Sequence, residues 1–486
     1  MFDVAIIGAG IIGSCAAMEL AKYNIRVAII EKDTDVANAT TKANSGIIHA
    51  GYDPKHGTFM AKYNVLGCEM AKEICERLDV PYKQIGSLVL AFDDADISNI
   101  TTLYRRGIEN GVPDMELLTP NQVAEIEPNI QKTVKGALLA KSTGVVSPFE
   151  YGVAVCENAV ANGAKLFLET EVTSIEKNDD TGNFVIKTNS KANPIIDAKY
   201  IINAAGVWSD KVHEMIGESE FKIKPVKGEY FLMDKSQGNL VNHVIFQCPD
   251  IKGKGVLVSP TSHGNLIVGP DAADIDEKDD VSITKNALDY VKEAAAKTTD
   301  KIDYRQSIRN FAGVRATSDQ SDFIIGFSKT VPKFLNLAGI KSPGLTCAPA
   351  IALDVVQMLK DDGLEMELKD DLITTRKRVR FVDRSAEERK KLVEENPLYG
   401  RVICRCETVT EGEIIDELRR PIVPTTIDAI KRRCNAGMGR CQGGFCSPRV
   451  TEIISRELGI SPLEVRQDKA DSYILVGTTK GDEPNA

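Results

Sequence analysis

Apolar residues in the first 350 positions fall mainly into short unbroken runs, each closed by a small-residue turn. VAIIGAG from Val4, KYIINAAGVWS from Lys199 and FLNLAGIKSPGLT from Phe334 share this form, and IRVAIIE from Ile25 is a further apolar run that ends at Glu31. Continuous apolar character over so few residues predicts strands buried on both faces, as in a parallel sheet. IIGSCAAMELAKYN, between the first two runs, predicts a helix, so the chain opens as strand, turn, helix, strand. Elsewhere the pattern changes. GEYFLMDK from Gly228 and GNLIVGP from Gly264 alternate, which predicts antiparallel strands. After the helical stretch APAIALDVVQMLKDDG, residues 365–395 become highly charged, and the basic run Arg376–Arg380 reads as a solvated face on a linker with a surface helix. EGEIIDELRR and TTIDAIKRR then predict two helices in a compact terminal module.

These elements imply several compact units, as does a length of 486 residues. The runs at the start, near 200 and near 335 assemble one discontinuous nucleotide-binding domain from 1–84, 145–220 and 310–364. Residues 85–144 and 221–309 form a second lobe built on an antiparallel sheet. A linker at 365–397, a module at 398–459 and a tail at 460–486 complete the chain. The end of that tail, TTKGDEPNA, is expected to be disordered.

A formal charge of -10 disfavours nucleic acid as a partner, since that needs a basic surface. MFDVAIIGAG lacks the basic and small-residue features of a leader, and no stretch approaches the roughly 20 apolar residues of a membrane span. A cytoplasmic protein is expected, one that can still dock on a membrane-bound partner. Of eleven cysteines, five fall between Cys404 and Cys446, whereas the other six lie in apolar or helical contexts that suit buried free thiols.

Gly8, Gly10 and Gly13 form GxGxxG between the first strand and helix, and Glu31 closes the second strand 18 residues after Gly13. The first glycine makes the turn, the second admits a pyrophosphate, and the third lets helix and strand pack closely. The helix N-terminus offers N–H groups to phosphate, and Glu31 can accept from ribose hydroxyls. The motif alone leaves FAD and NAD open. ATTKANSGIIHAGYDP, placed where a ribityl chain would extend, and the small-residue turn of IINAAGVWS favour FAD.

Five blocks in collinear order over residues 1–360 are similar to one family: ANSGIIHAGYDP, AKYNVLG, GKGVLVSP with GNLIVGP, FAGVRATSDQSDFIIG and AGIKSPGLTCAPAI. The chain here resembles the FAD-dependent glycerol-3-phosphate oxidases and dehydrogenases of the D-amino-acid-oxidase-like superfamily. The resemblance implies an α/β fold, a glutathione-reductase-like FAD domain beside an α+β substrate lobe, and oxidation of sn-glycerol 3-phosphate to dihydroxyacetone phosphate. It makes His49 the general base and Ser45, His49, Lys254, Arg315 and Ser342 the substrate contacts, with Lys62, Arg309 and Lys341 as unranked neighbours. Beside Gly8, Gly10, Gly13 and Glu31, it assigns to the cofactor Ile12, Lys32, Thr41, Asn44, Ser45, Gly46, Val172, Ala205, Gly206, Trp208, Gly339, Ser342, Gly344, Leu345 and Thr346. Covalent attachment through His49 stays open. The HAG segment also occurs in relatives that oxidise L-2-hydroxyglutarate, and an arginine with a lysine suits a carboxylate as well as a phosphate. Amine oxidation is the weaker alternative.

Cys404 and Cys406 make CxC, and Cys441 and Cys446 make CxxxxC, 34 residues apart. Four thiolates on two turns suit a 2Fe-2S cluster, with zinc as the competitor and Cys434 as a bystander. The module resembles the bacterioferritin-associated ferredoxin domain in its variant fused to anaerobic glycerol-3-phosphate dehydrogenases, which implies a helical iron–sulfur domain. The long CxxxxC loop departs from the usual CxxC. A cluster next to a flavin implies electron transfer to a partner, either an acceptor protein or a quinone-linked subunit, in a homo- or hetero-oligomer. A rival of another class is a non-catalytic electron-transfer subunit.

Overall fold

The structure, a computed structural model, describes residues 1–218, 220–249 and 255–479. Contacts divide the chain into two compact units. The first comprises Met1–Ile30, Ala37–Phe167 and Glu171–Arg376; the second comprises Glu31–Val36, Leu168–Thr170 and Lys377–Ala486.

In the first unit the strand Phe2–Ile7 lies between two parallel partners, Val27–Ile30 and Ile195–Asn203. Lys165–Phe167 extends this sheet beyond Val27–Ile30, and Phe334–Ala338 pairs in parallel with the end of Ile195–Asn203. The helix Ile11–Leu20 is buried along nearly its whole length, because Pro148–Ala161 and Gly344–Asp361 pack against it. That double cover explains why IIGSCAAMEL is apolar all round.

A second sheet carries the long antiparallel pair Ile223–Met233 and Ser307–Ser318, and Ile223–Met233 also pairs antiparallel with Leu266–Gly269, so the two alternating segments are antiparallel strands as predicted. Strands from residues 85–144 join it, since Ser87–Ala91 pairs with Val244–Gln247. Both faces are covered. Leu88 and Leu90 belong to one core with Val291 and Ala295 of the helix Lys285–Ala296. Val89 and Ala91 belong to another with Ile47, Ala50, Tyr52, Tyr230 and Phe246. The period of two along Ser87–Ala91 sends alternate side chains to these two cores. His49 sits inside the segment that the second core buries.

The second unit is small and helical. Its core is Ile414, Ile415, Leu418, Ile430, Ile453 and Ile454, from the helices Glu411–Leu418, Ile427–Cys434 and Ser447–Leu458. Thr410 and Glu413 form a capping box at the first, and the Thr426 hydroxyl accepts from Ala429 N–H at the second. The predicted helices are therefore present. The run Arg376–Arg380 is different from its solvated reading: Arg376 and Arg378 are buried, bonded to Glu157 at 2.6 Å and to Glu417 at 2.7 Å respectively. Their carboxylate partners lie far away in sequence, where a local charge count cannot see them. Among the described residues no helix is long and apolar enough to cross a membrane. Residues 480–486 of the tail expected to be disordered lie outside the described residues.

Asp35 is the charged centre of this unit. Arg433, fully buried, holds both its oxygens at 2.7 and 2.8 Å, and Arg432 reaches it at 3.0 Å. Burial alone would raise the Asp35 pKa, but the two guanidinium charges outweigh it and hold the carboxyl well below its usual range. The stabilisation is therefore present above the unfolded carboxylate value of about 4 and is lost as pH falls below it. Asp35→Asn leaves buried arginine charge uncompensated and is expected to cost about 3–5 kcal/mol. Urea unfolding at pH 7, compared between the two proteins, measures the loss; equal midpoints would deny Asp35 this role.

Candidate functional site

Gly8 turns the chain out of the first strand with φ +105°, and its N–H donates to Ile30 O at 2.9 Å. A Cβ at Gly8 would stand 2.5 Å from Ala204 O, and one at Gly13 would stand 2.0 Å from Gly8 O. Strand, turn and helix are thus in backbone contact. Gly10 is the N-cap of the helix Ile11–Leu20 and brings no capping side chain. The Thr41 hydroxyl instead accepts from Ile11 N–H at 2.9 Å. A helix entrance whose cap comes from another segment, with bare backbone in front, fits a dinucleotide pyrophosphate. Glu31 and Lys32 follow the second strand and belong to the second unit, where Glu31 Oε1 accepts from Asp33 N–H at 2.9 Å.

The segment carrying Asn44, Ser45 and Gly46 is shaped by its own bonds. Asn44 donates to Thr40 O and Thr41 O and accepts from Gly46 N–H at 2.8 Å. The strand Ser307–Ser318 runs flush along it: a Cβ at Gly313 would come within 1.9 Å of Ala43 O. His49 is then fixed from three sides. Its N–H donates to the Thr346 hydroxyl at 2.9 Å, its carbonyl accepts from the Asn64 amide, and its ring stacks on Phe246 with centroids 5.9 Å apart. Nε2 lies 3.4 Å from Ser342 Oγ. The backbone holds the ring's position while Nε2 keeps a polar neighbour, as a proton acceptor requires.

Arg315 projects from the strand Ser307–Ser318, opposite Val226. One Nη donates to Asp271 O at 3.3 Å, and a Cβ at Gly228 would stand 2.6 Å from that nitrogen. Burial raises the pKa of Tyr230, and the charge and hydrogen bond of Arg315 partly offset this. Tyr230 stacks on Phe311 at 4.8 Å. Lys254 lies outside the described residues. Lys62 is ion-paired with Asp354, which also accepts from Tyr63 OH.

The structure therefore gathers His49, Ser342 and Thr346, and separately gathers the glycine turn, Thr41 and Ala204. Gly339 and Gly344 flank Ser342, and Leu345 precedes Thr346 at the start of the helix Gly344–Asp361. Val172 opens its strand, and Ala205 and Gly206 follow the end of Ile195–Asn203. Trp208 donates to Asp279, with Lys278 over its ring. Sequence reasoning missed Asn64, Tyr230, Phe246 and Phe311. The alternation of GEYFLMDK already placed Tyr230 on one strand face, but not the face that meets Arg315.

In the second unit the thiols form two pairs. Cys406 and Cys441 have sulfurs 3.7 Å apart, and Cys404 is hydrogen-bonded to Cys446. The Cys446 thiol and the N–H groups of Gly437 and Glu407 pull the Cys404 pKa down, while the shared proton raises that of Cys446. N–H groups of Phe445 and Gly443 face Cys441. Among the described residues no group of three or more His, Cys, Asp or Glu side chains is arranged to hold one metal ion. Two sulfur pairs backed by N–H donors fit two irons with two thiolates each better than one tetrahedral zinc. Cys434 is buried, donates to Ile430 O, and has its thiol pKa pushed up by burial.

Comparison with known proteins agrees. Residues 3–358 match the family model described as FAD dependent oxidoreductase, and residues 402–456 match that of the BFD-like [2Fe-2S] binding domain. A glycerol 3-phosphate dehydrogenase of Caloramator mitchellensis is 48% identical over 483 residues, covering 99% of this chain and 100% of that protein. A glycerol 3-phosphate oxidase of Mycoplasma genitalium is 35% identical over 74% of this chain and 94% of its own. The FAD-bound L-alpha-glycerophosphate oxidase of Mycoplasma pneumoniae superposes with a TM-score of 0.73 at 32% identity, covering 77% of this chain and 98% of that one.

Two substitutions separate the cofactor sites. Gly13→Ala, whose Cβ has no room before Gly8 O, is expected to yield protein without the flavin absorbance. Cys406→Ser is expected to lose iron and acid-labile sulfide while keeping the flavin. Full flavin in the first or an intact cluster in the second would refute the corresponding assignment.

Proposed function

The chain belongs to the FAD-dependent oxidoreductase family, and from that premise we propose that it oxidises sn-glycerol 3-phosphate to dihydroxyacetone phosphate and passes the electrons to a partner. The observation that carries this reading is the fixed imidazole of His49, with Nε2 beside Ser342 Oγ. The relatives named for glycerol 3-phosphate, one of them matched over 99% of this chain, support the choice of substrate. We assign residues 1–84, 145–220 and 310–364 to the FAD domain, 85–144 and 221–309 to the substrate lobe, 365–397 to the linker and 398–459 to the cluster domain.

Bound FAD supplies the acceptor for a hydride from the carbinol carbon, and the 2Fe-2S cluster supplies an outlet for one electron at a time. His49 takes the hydroxyl proton at Nε2, so the C–O bond becomes a carbonyl as the hydride departs. Ser342 orients that hydroxyl through its Oγ. Arg315 offers the phosphate a planar fork of N–H donors, turned by its bond to Asp271 O. Lys254 is the second cation in this reading. Phe246 stacks on the imidazole and keeps that side of the ring apolar.

Anaerobic glycerol 3-phosphate is expected to bleach the flavin, with L-2-hydroxyglutarate slower by kcat/KM; the reverse order would transfer the assignment to the 2-hydroxy acid. No bleaching by either would favour a non-catalytic electron carrier. His49→Asn is expected to slow bleaching by roughly 10²–10⁴-fold while substrate still binds. An unchanged rate would remove His49 as the base.

A further inference from the structure

The helix Ile427–Cys434 closes on three successive cations, Lys431, Arg432 and Arg433, and all three are buried. Cations suit the negative end of a helix, but a buried one also needs a partner. Arg432 and Arg433 share Asp35, and Arg432 reaches Asp468 as well. Lys431 reaches the cysteine loop. Its Nζ donates to Gln442 Oε1 at 3.4 Å, one residue after Cys441. Gln442 in turn donates from Nε2 to Met438 O at 2.8 Å and to Gly439 O at 3.1 Å. Its φ of +47° is one that glycine would adopt without strain. A side chain is present there against that strain, and it ties the loop both to itself and to Lys431.

The same loop serves the sulfurs. Gly437 N–H faces Cys404, and Gly443 N–H faces Cys441. A Cβ at Gly437 would lie 3.9 Å from Lys431 Cδ and 3.6 Å from Gly443 Cα. The stem of Lys431 therefore passes the donor to one cysteine and ends at the neighbour of another. Lys431 is only 7% exposed, so solvent screens its charge little. One carboxylate acts in the opposite sense: Glu407 follows Cys406, stands 3.0 Å from a Cβ built at Gly439, and repels negative charge on Cys404. Arg405 and Arg440 also adjoin the cysteines, but both are exposed, where water weakens their fields. Arg378 is bonded to Glu417.

We propose that Lys431 sets the reduction potential of the iron–sulfur centre: its buried ammonium, placed by Gln442, raises that potential, and Glu407 opposes it. The proposal rests on the assignment of Cys404, Cys406, Cys441 and Cys446 as the ligands. Reduction adds one electron, supplied by the reduced flavin, to a centre that already carries four thiolates, and no bond in the protein forms or breaks. A fixed positive charge nearby favours the more negative, reduced form over the oxidised one, whereas a carboxylate does the reverse. The N–H groups of Gly437 and Gly443 act in the same direction as Lys431, since hydrogen bonds to sulfur also raise the potential. Lys431 thus makes the centre a readier acceptor for electrons that the flavin gives up.

The test is a dithionite titration of the full-length protein with both cofactors, in the presence of redox mediators, with the EPR signal of the reduced cluster giving the midpoint. Lys431→Met removes the charge at nearly constant length, and Lys431→Gln keeps an amide for Gln442. Both are expected to move the midpoint to more negative values. At the poise that half-reduces the unmodified cluster, the ratio of reduced to oxidised centre should fall about tenfold. Lys431→Arg should restore the midpoint, and Glu407→Gln should shift it the other way. Flavin absorbance, iron and acid-labile sulfide are measured in every variant. An unchanged midpoint in Lys431→Met with the cluster intact would overturn the proposal, as would an equal shift in Lys431→Arg. Loss of the cluster from both neutral variants would also overturn it, by reducing Lys431 to a support for the loop. If the reduced, unmodified protein gives no cluster signal and holds no acid-labile sulfide, the ligand assignment itself fails, a result distinct from a signal whose midpoint ignores Lys431.

Discussion

Close backbone approach at Gly8 and Gly13 is the constraint from which the first unit is built. The Gly13 Cα must pass the Gly8 carbonyl at a distance that excludes even a methyl group, and Gly8 itself is pressed against Ala204. The first strand can lie between its two parallel neighbours with the helix entrance at its tip only because those contacts are bare backbone. A phosphate needs the same thing, namely N–H groups with no side chain in front of them. Fold and cofactor therefore make one demand on the sequence. Segment 40–46 meets a matching demand where Gly313 lets a strand run flush against Ala43. Through that contact the strand bearing Arg315 and the segment leading to His49 share a fixed origin.

The second unit is held differently. Its apolar core is small, and it buries charge in matched form, Arg433 and Arg432 on Asp35 and Arg378 on Glu417, while Arg466 makes a more exposed pair with Glu169 at 2.7 and 2.8 Å. Such pairs add little net stability over apolar residues of the same size, but they are costly to break singly and so specify one arrangement. Asp35 and Glu169 belong to short segments that the chain contributes from far upstream. Bidentate geometry gives each of these segments a single register.

The regular elements were legible in the sequence because periodicity encodes them directly. Val4–Ile7 is an unbroken apolar run and Ile201–Asn203 is one closed by a polar residue, and both proved to be strands with parallel neighbours on each side. His49 was legible only through the block around it, since a lone histidine carries no signal. What escaped was whatever depends on long-range pairing. Arg376 and Arg378 looked solvated because Glu157 and Glu417 are distant in sequence. Phe246 and Tyr230 looked like ordinary core residues, and they are that too, since they belong to the core that buries the neighbours of His49. Their additional position beside His49 and Arg315 follows from which face of the strand turns inward. That is settled by the whole sheet.

A redox protein of this composition must reconcile two kinds of electron step. An alcohol gives up two electrons with one hydride, while a cluster with four thiolates hands them on singly. The first step calls for a proton acceptor held still, and in the proposed role His49 is held by its backbone bonds to Thr346 and Asn64 and by its stacking on Phe246. The second requires the opposite, a donor near enough to solvent for a separate molecule to approach it. Cys406 and Cys441 lie toward the surface while Cys404 and Cys446 are sealed in the core, so as the ligand set proposed here they would meet both needs through that asymmetry. Burying all four sulfurs would protect the cluster and lengthen the path to any acceptor, whereas exposing all four would give up the apolar packing that holds the module's loops. The CxxxxC loop, longer than a CxxC, supplies the extra residues that place Phe445 outward while its neighbour Cys446 points into the core.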